Sequence, residues 1–550
     1  MKRKKITYLL LFMWLTFVAH AQTNDRLYNL FLFTNTDYCV SGDTVWFKVI
    51  LQNEVEMESN VVHVQLDSPG NNLIADVTKM SSDGKASGYI AVPDSLSTGV
   101  YFLTAFINAQ RNNLNLDVNG KTLFVYNRFD ENVTQFMVPG LKEKIISENL
   151  NDQIIIKTDK TTYSKGDKVA VNVEFKLPTN GTQAIINASH IDPLAEEKGG
   201  IFQFRVKQSE SFIPCFNEKD GVLLSGKIVD ENEVPQNGIL VFLSIPANPP
   251  YFDYYVTGKD GDFHFFLKDA KGKAGIFLQT VSDLGKEFSI RVDKNYFERE
   301  EKVQLENKIL NQKQISFIET AINGSFINKL FNPGFYLQPQ TFEMPVSFEV
   351  PFYGSAVNRV IPNEFYDLPD FQEISRELLF GVQYRVKDNE VTFRLLNESP
   401  PGFFNNEPLR LINGIPVFKN SLFTKLKSTD IDFIDVVSRE RIYGDLIFKG
   451  VLAVSLNDKS NGWLAEQTNI SQFSYDCLQT DRQLPLIKSN GEKLDQPDLR
   501  QVFLWENIKN GGAQNFEFNL SDLKGEVEIS VEGLTPNNKF FKASKKIAVE

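Results

Sequence analysis

Cysteine is scarce, with three in 550 residues. Cys39, Cys215 and Cys477 are odd in number and widely spaced, so no disulfide framework is implied and at most one long-range bridge can form. Buried thiols are the expectation. No C-x-x-C or H-x-x-x-H spacing exists, which removes the usual zinc patterns. Histidine is equally rare. Beyond His20 near the N-terminus there are only His63, His190 and His264, each standing alone in a strand-like stretch, where a packed or surface residue is expected rather than a ligand. The G-x-S-x-G elbow of Ser-His-Asp hydrolases, the P-loop and the dinucleotide fingerprint are all missing. Asp260-Gly261-Asp262 offers too few oxygens for a calcium loop, which needs six to eight, and reads as a turn between strands. Positive charge is in short supply too: 58 Lys and Arg against 70 Asp and Glu give a formal charge of −12. That balance argues against nucleic acid and anionic lipid as partners. The expectation is a non-enzymatic protein with no catalytic residue, no metal and no cofactor.

Long apolar runs are missing as well, apart from the start. Lys2, Arg3, Lys4 and Lys5 precede an apolar run at Tyr8–Val18, and Ala19-His20-Ala21 follows as a small-x-small cleavage site. Eleven residues are too few to span a hydrocarbon core that needs about 20. Residues 1–21 therefore read as an export signal, and removing its four positive charges takes the formal charge to −16. No Cys follows the run to carry a lipid, and no later stretch is long and apolar enough for a transmembrane helix. Export to the periplasm, or association with the outer membrane, is the expected location.

What the chain does have is phenylalanine, 46 of them, and β-branched residues in alternating stretches, which favour strands. Asn35-Thr36-Asp37-Tyr38-Cys39-Val40-Ser41-Gly42-Asp43 leads into a stretch that places Val45, Phe47, Val49 and Leu51 on one face, the pattern of a half-buried strand. Turns rich in Gly, Pro and Asp recur about every ten residues, as in a β-sandwich. The opening turn and the closing Gly99-Val100-Tyr101-Phe102-Leu103-Thr104-Ala105 resemble the second macroglobulin domain of the alpha-2-macroglobulin family, with Cys39 standing where that family has Tyr. The turn returns at Tyr163-Ser164-Lys165-Gly166-Asp167, ahead of Val169, Val171, Val173 and Phe175. Two macroglobulin-like sandwiches are thus expected, at 22–129 and 151–220, as modules of an array. The family's protease-trapping thioester C-G-E-Q surrounds none of the three cysteines, so that mechanism is excluded here.

A third sandwich is expected at 221–298. Gly226-Lys227-Ile228-Val229-Asp230 and Thr257-Gly258-Lys259-Asp260-Gly261-Asp262-Phe263-His264-Phe265 resemble the carboxypeptidase regulatory-like module, which carries no catalysis. Residues 303–360 read as a helical and extended connector, with Leu310, Ile315, Ile318, Ile322, Phe326 and Leu330 at helical spacing and Asn332-Pro333-Gly334 as the stop. Within 361–458, Glu407-Pro408-Leu409-Arg410-Leu411-Ile412-Asn413-Gly414-Ile415-Pro416-Val417 predicts a hairpin at Asn413-Gly414. A strand at Ile431–Val437 and the turn Tyr443-Gly444 follow. This order resembles the plug domain of TonB-dependent outer-membrane receptors; the same residues also fit an ordinary α+β subdomain with hairpin chemistry. A receptor barrel of 22 strands needs about 220 residues, whereas 93 follow Asn457. Residues 495–550 read as a terminal immunoglobulin-like β unit.

The fold class expected is therefore mainly β, with tandem immunoglobulin-like or macroglobulin-like sandwiches, one helical connector and a small α+β plug-like domain. The expected function is that of a non-enzymatic envelope adaptor that binds another envelope protein; the alternative is a thioester-less, macroglobulin-type protease-binding protein. Because the apolar residues of the plug-like stretch are claimed by its core, the turn residues Asn413, Gly414, Tyr443 and Gly444 are the expected partner contacts.

Overall fold

The computed structural model describes residues 29–52, 60–82, 84–108, 110, 117–130, 133–140, 148–150, 152–176, 182–205, 207, 218–281, 288–294, 296, 298–331, 350–356, 358–387, 390–398, 400–458, 462–467, 470–482, 484, 497–508, 513–535, 537 and 539–550. The expected export signal and Cys215 lie outside them. The chain is mainly β and forms two compact units that interleave in sequence. One comprises Met1–Asn217, Tyr296–Leu337 and Asp481–Glu550; the other comprises Glu218–Asn295 and Gln338–Thr480.

The first unit opens with a sandwich. Strands Asn29–Thr34, Thr44–Gln52 and Lys85–Ala91 form one sheet. The facing sheet runs Ile201–Arg205, Asp117–Tyr126, Gly99–Phe106, Val61–Asp67 and Leu73–Met80, with Tyr38–Val40 added in parallel to Asp117–Tyr126. Val45, Phe47 and Val49 point into the core, as the alternation predicts. The strand is not half-buried, however. Its other face is covered too, because Ile50 packs with Phe31 and Phe33 against Ile185 and Leu534 of a second sandwich.

That second sandwich is assembled from both ends of the chain. Ile154–Thr158, Lys168–Phe175 and Ala513–Asn519 form one sheet; Phe540–Val549, Gly525–Leu534, Gln183–His190 and Val502–Ile508 form the other, edged by Glu148–Asn149. The expected boundaries at 151–220 and 495–550 therefore do not hold. Lys168–Phe175 pairs Lys168 with Asn519, and Gln183–His190 pairs Gln183 with Leu534, so the terminal strands complete this core rather than folding apart. Ile201–Arg205 belongs to the first sandwich instead. Such long-range pairs leave no local trace in sequence.

The connector also differs from its helical reading at the start. Leu305–Ile309 is a strand paired with Gln135–Pro139. The helix runs Gln312–Phe331. It starts there because Asn311 and Gln314 cap each other reciprocally: each side-chain oxygen accepts the other's backbone N–H at 3.0 Å. Among the described residues no helix is long and apolar enough to cross a membrane.

The second unit holds the third sandwich and the plug-like part. Gly221–Val229, Asp262–Lys268 and Ser289–Val292 face a sheet of Tyr251–Val256, Leu240–Ile245, Lys273–Val281 and Ile470–Asp476. Its last strand thus comes from beyond the expected end at 298, pairing Lys273 with Asp476 through Gln279 with Ile470. In the plug-like part five strands run in the order Asn358–Val360, Ile431–Val437, Val451–Leu456, Leu409–Ile412 and Ile415–Pro416. Helix Phe371–Leu378 covers them, its start capped by Asp370, which accepts the Glu373 N–H at 2.9 Å. Phe371, Ile374, Ile434, Val436 and Val454 meet in its core.

Candidate interaction surface

The expected hairpin forms where Asn413-Gly414 predicts it. Ile412 pairs with Ile415, and both turn residues have positive φ, 50° and 81°, the requirement of a type I′ turn. Yet the turn is engaged inside its own unit. The Asn413 side-chain oxygen accepts the Leu456 N–H at 2.8 Å, and its amide donates to the Asp458 carbonyl at 3.3 Å. Gly414 lies against the third sandwich: a Cβ there would sit 2.4 Å from Pro250 Cβ.

Tyr443 and Gly444 fare alike. Between Val437 and Val451 the chain makes a two-stranded ribbon of Arg441–Tyr443 and Leu446–Phe448. The Tyr443 hydroxyl donates to the Phe252 carbonyl at 2.8 Å, and its ring meets Phe252, Phe352 and Tyr254 edge-on at 5.6–6.1 Å. Burial, then the nearby Asp253 carboxylate, pushes its hydroxyl up to about 12. The Tyr254 hydroxyl accepts the Asp445 N–H at 2.6 Å and sits where a side chain on Gly444 would begin. Of the four turn residues expected as partner contacts, Gly414, Tyr443 and Gly444 lie against the third sandwich, and the Asn413 side chain is bonded within the plug-like part.

Docking one face of a ribbon leaves the other outside, since directly opposed residues share a face. Ile442 and Ile447 are such a pair, and they are 73% and 58% exposed. Neither strand of the ribbon has a further strand partner among the described residues. The apolar pair and two open edges form the candidate surface. It was missed in sequence because Ile442 and Ile447 carry the same period-2 signal as core residues; only the docking of Tyr443 decides which face is wet.

His63 is buried, stacked on Phe106 at 5.1 Å, with Thr78 Oγ1 3.4 Å from its Nδ1. His190 is buried beside Phe503, and burial lowers it to about 4. His264 stands beside Tyr255 at 4.6 Å. Gly261 adopts φ 69° in a tight turn in which Gly258 accepts its N–H at 3.0 Å, as the turn reading of Asp260-Gly261-Asp262 has it. Burial pushes the Cys39 thiol well up and the Cys477 thiol up to about 12, so both are poor nucleophiles. Among the described residues, no three His, Cys, Asp or Glu side chains are placed to hold a metal ion.

No protein-family model matches the chain, and no curated protein does. Solved structures it is similar to include native alpha-2-macroglobulin of Escherichia coli, at 9% identity and a TM-score of 0.23 over 96% of this chain and 40% of that one. Salmonella alpha-2-macroglobulin reacted with methylamine gives the same identity and score over 95% and 39%. The adhesin InvE of Yersinia pseudotuberculosis gives 11% identity and a TM-score of 0.13 over 48% and 58%. The chain spans about two fifths of the length of the macroglobulin chains it matches.

Proposed function

We propose that the protein is a non-enzymatic binding protein of the bacterial envelope, an adaptor that engages another envelope protein through the outer face of the Arg441–Phe448 ribbon. The observation that carries this reading is the exposed Ile442–Ile447 pair on a ribbon whose opposite face is already docked. The occupant that fits is an extended segment with apolar side chains, adding a strand to an open edge and covering the isoleucines. Exposed isoleucines flanked by unpaired strand edges are otherwise a liability that proteins blunt with charge or proline. The expected export signal is what supports such a role in the periplasm or at the outer membrane, accessory to an outer-membrane complex.

The test is the double variant Ile442→Asp with Ile447→Asp, compared with wild type for binding to proteins purified from the same envelope. Loss of a defined complex, at a melting point unchanged within the effect of surface substitutions of about 0.5 kcal/mol, supports the reading. Unchanged complexes refute it. So does cleavage of the purified protein by general proteases followed by their retention, which is the behaviour of a protease-binding relative.

A further inference from the structure

In the first unit a cavity of about 220 Å³ lies where the turn at 34–38 and Lys121 of the first sandwich meet Gln183–His190 and Gly525–Leu534 of the second, beside the short helix Pro193–Lys198. Its charges do not balance. Five carboxylates line it, Asp37, Asp192, Glu196, Glu528 and Glu532, against two lysines, Lys121 and Lys542. Lys121 lies 2.7 Å from Asp37, and Lys542 is shared between Glu528 at 2.8 Å and Glu532 at 3.3 Å. Lys546 reaches Glu196 from outside the wall, so three cations face five carboxylates. Among the described residues Asp192 has no cation beside it. It accepts the Tyr126 hydroxyl and the Leu194 N–H, the latter at 2.8 Å, and the charge it feels is that of Asp37.

The unpaired atoms of the wall are acceptors as well. His190 lines the cavity, is 6% exposed, and its Nε2 has no partner. The Glu526 backbone carbonyl engages the ring, necessarily at the other nitrogen, so Nδ1 carries the proton and Nε2 accepts. The Asn187 amide donates to the Asn35 carbonyl at 3.1 Å, which leaves its buried Oδ1 an acceptor without a donor. The buried Tyr38 hydroxyl, also unpartnered, is able to accept.

Surplus negative charge and buried acceptors without donors call for a cation that carries several N–H groups, because an unmet buried acceptor is costly. A metal ion does not fit: among the described residues, no three His, Cys, Asp or Glu side chains are placed to hold one. An ammonium has three donors and divides them among acceptors that stand apart. Ile191, Ile201 and Phe540 give the wall an apolar side. Asp37 and Glu196 are exposed, so the cavity is reached from solvent. A cavity of about 150 Å³ holds a benzene ring, so this one has room for an amine on a stem of about five carbons. We propose that this cavity binds a primary alkylammonium, its head on the surplus carboxylates, His190 and Asn187 and its stem against the apolar side. A free alkylamine and the lysine side chain of a partner protein share this chemistry.

Pentylamine, 1-pentanol and pentanoate, titrated into the full chain at neutral pH, share a five-carbon chain and differ in the head group; heat of binding is the readout. The amine should bind at about millimolar concentration or tighter. It should bind at least about tenfold more tightly than the alcohol, as expected of hydrogen bonds to charged groups, and the acid should not bind. Asp192→Asn with Glu532→Gln leaves three carboxylates facing three cations and should remove the preference for the amine. Both changes keep an acceptor of the same shape, and Asn caps a helix as Asp does, so the melting point should hold. Glu532→Gln alone, outside the buried floor, should weaken the amine in the same direction if the double variant does not fold. Tripeptides with blocked ends and a central lysine, free or acetylated on Nζ, separate the two sources: binding of the free lysine alone assigns a partner's side chain, its exclusion while pentylamine binds a free amine. Equal binding of amine and alcohol, no binding of pentylamine at tenfold above about millimolar concentration, an amine preference that survives the double variant, or calcium that binds and displaces the amine would each overturn the proposal.

Discussion

The Ser41-Gly42-Asp43 turn and the Lys165-Gly166-Asp167 turn are one device used twice. In both, the Asp carboxylate accepts the N–H of the residue three positions back at 3.0 Å, from Val40 and from Ser164. In both, the glycine adopts positive φ, 80° and 73°. The strand before each turn adds in parallel to a ten-residue strand of its sandwich, Asp117–Tyr126 in the first and Phe540–Val549 in the second. The difference is what lies on top. Over the first turn sits the connector helix, with Ser325 and Lys329 on Asp43 and Phe317 against Tyr38. Over the second there is no helix: Lys160 lies 3.7 Å from Asp167 in solvent, the Ser521 carbonyl accepts the Gly166 N–H at 3.2 Å, and a Cβ on Gly166 would meet nothing within 4 Å. Sequence marks this in one place: Tyr38-Cys39, both buried, against Thr162-Tyr163, of which Thr162 is exposed. The turn is local physics; its cover is not.

The largest effect that would sharpen the comparison is acidification of the second sandwich. His190 is lowered to about 4 by burial, below the usual value of about 6.5. The unfolded chain therefore binds more protons between those values, and stability falls as pH drops from about 6.5 toward 4. The loss should reach about 3 kcal/mol by pH 4. Hydrogen exchange resolved by sandwich should show it in Gln183–His190 and its neighbours, and His190→Gln should remove the slope. A slope that survives this change contradicts the assignment.

Next come the carboxylates. Asp167→Ala loses one cap and should cost about 1 kcal/mol, whereas Asp43→Ala also strands the partly buried Lys329 and should cost about 2 kcal/mol. Denaturant melts of both variants check this, and equal costs would mean that the helix contributes nothing to the first turn. The glycines follow. Gly166→Ala should cost about 1 kcal/mol, the strain of left-handed backbone alone. Gly42→Ala should cost more by about a further 1 kcal/mol, because Asp94 and Lys329 occupy the space its methyl needs. A smaller effect at Gly42 than at Gly166 would break the comparison.

The same divide accounts for how much of the molecule could be read from its residues. The turns at Gly42, Gly166 and Gly261 and the hairpin at Asn413-Gly414 obey near-neighbour rules, and they stand where the sequence puts them. The completion of the second sandwich by Ala513–Asn519 and of the third by Ile470–Asp476 depends on strand pairs with hundreds of residues between them. So does the candidate surface. Tyr443 reads as an available turn residue until Phe252 and Tyr254 are placed beside it. Its docking turns Ile442 and Ile447 outward.

The central claim, that binding uses the outer face of this ribbon and not its turns, is tested most directly by photo-crosslinking in the native envelope. A photoreactive residue is placed in turn at positions 442, 447, 413 and 443. The account predicts one shared adduct to an envelope protein from 442 and 447, and none from 413 and 443. Adducts from 413 and 443 with none from 442 and 447 would contradict it.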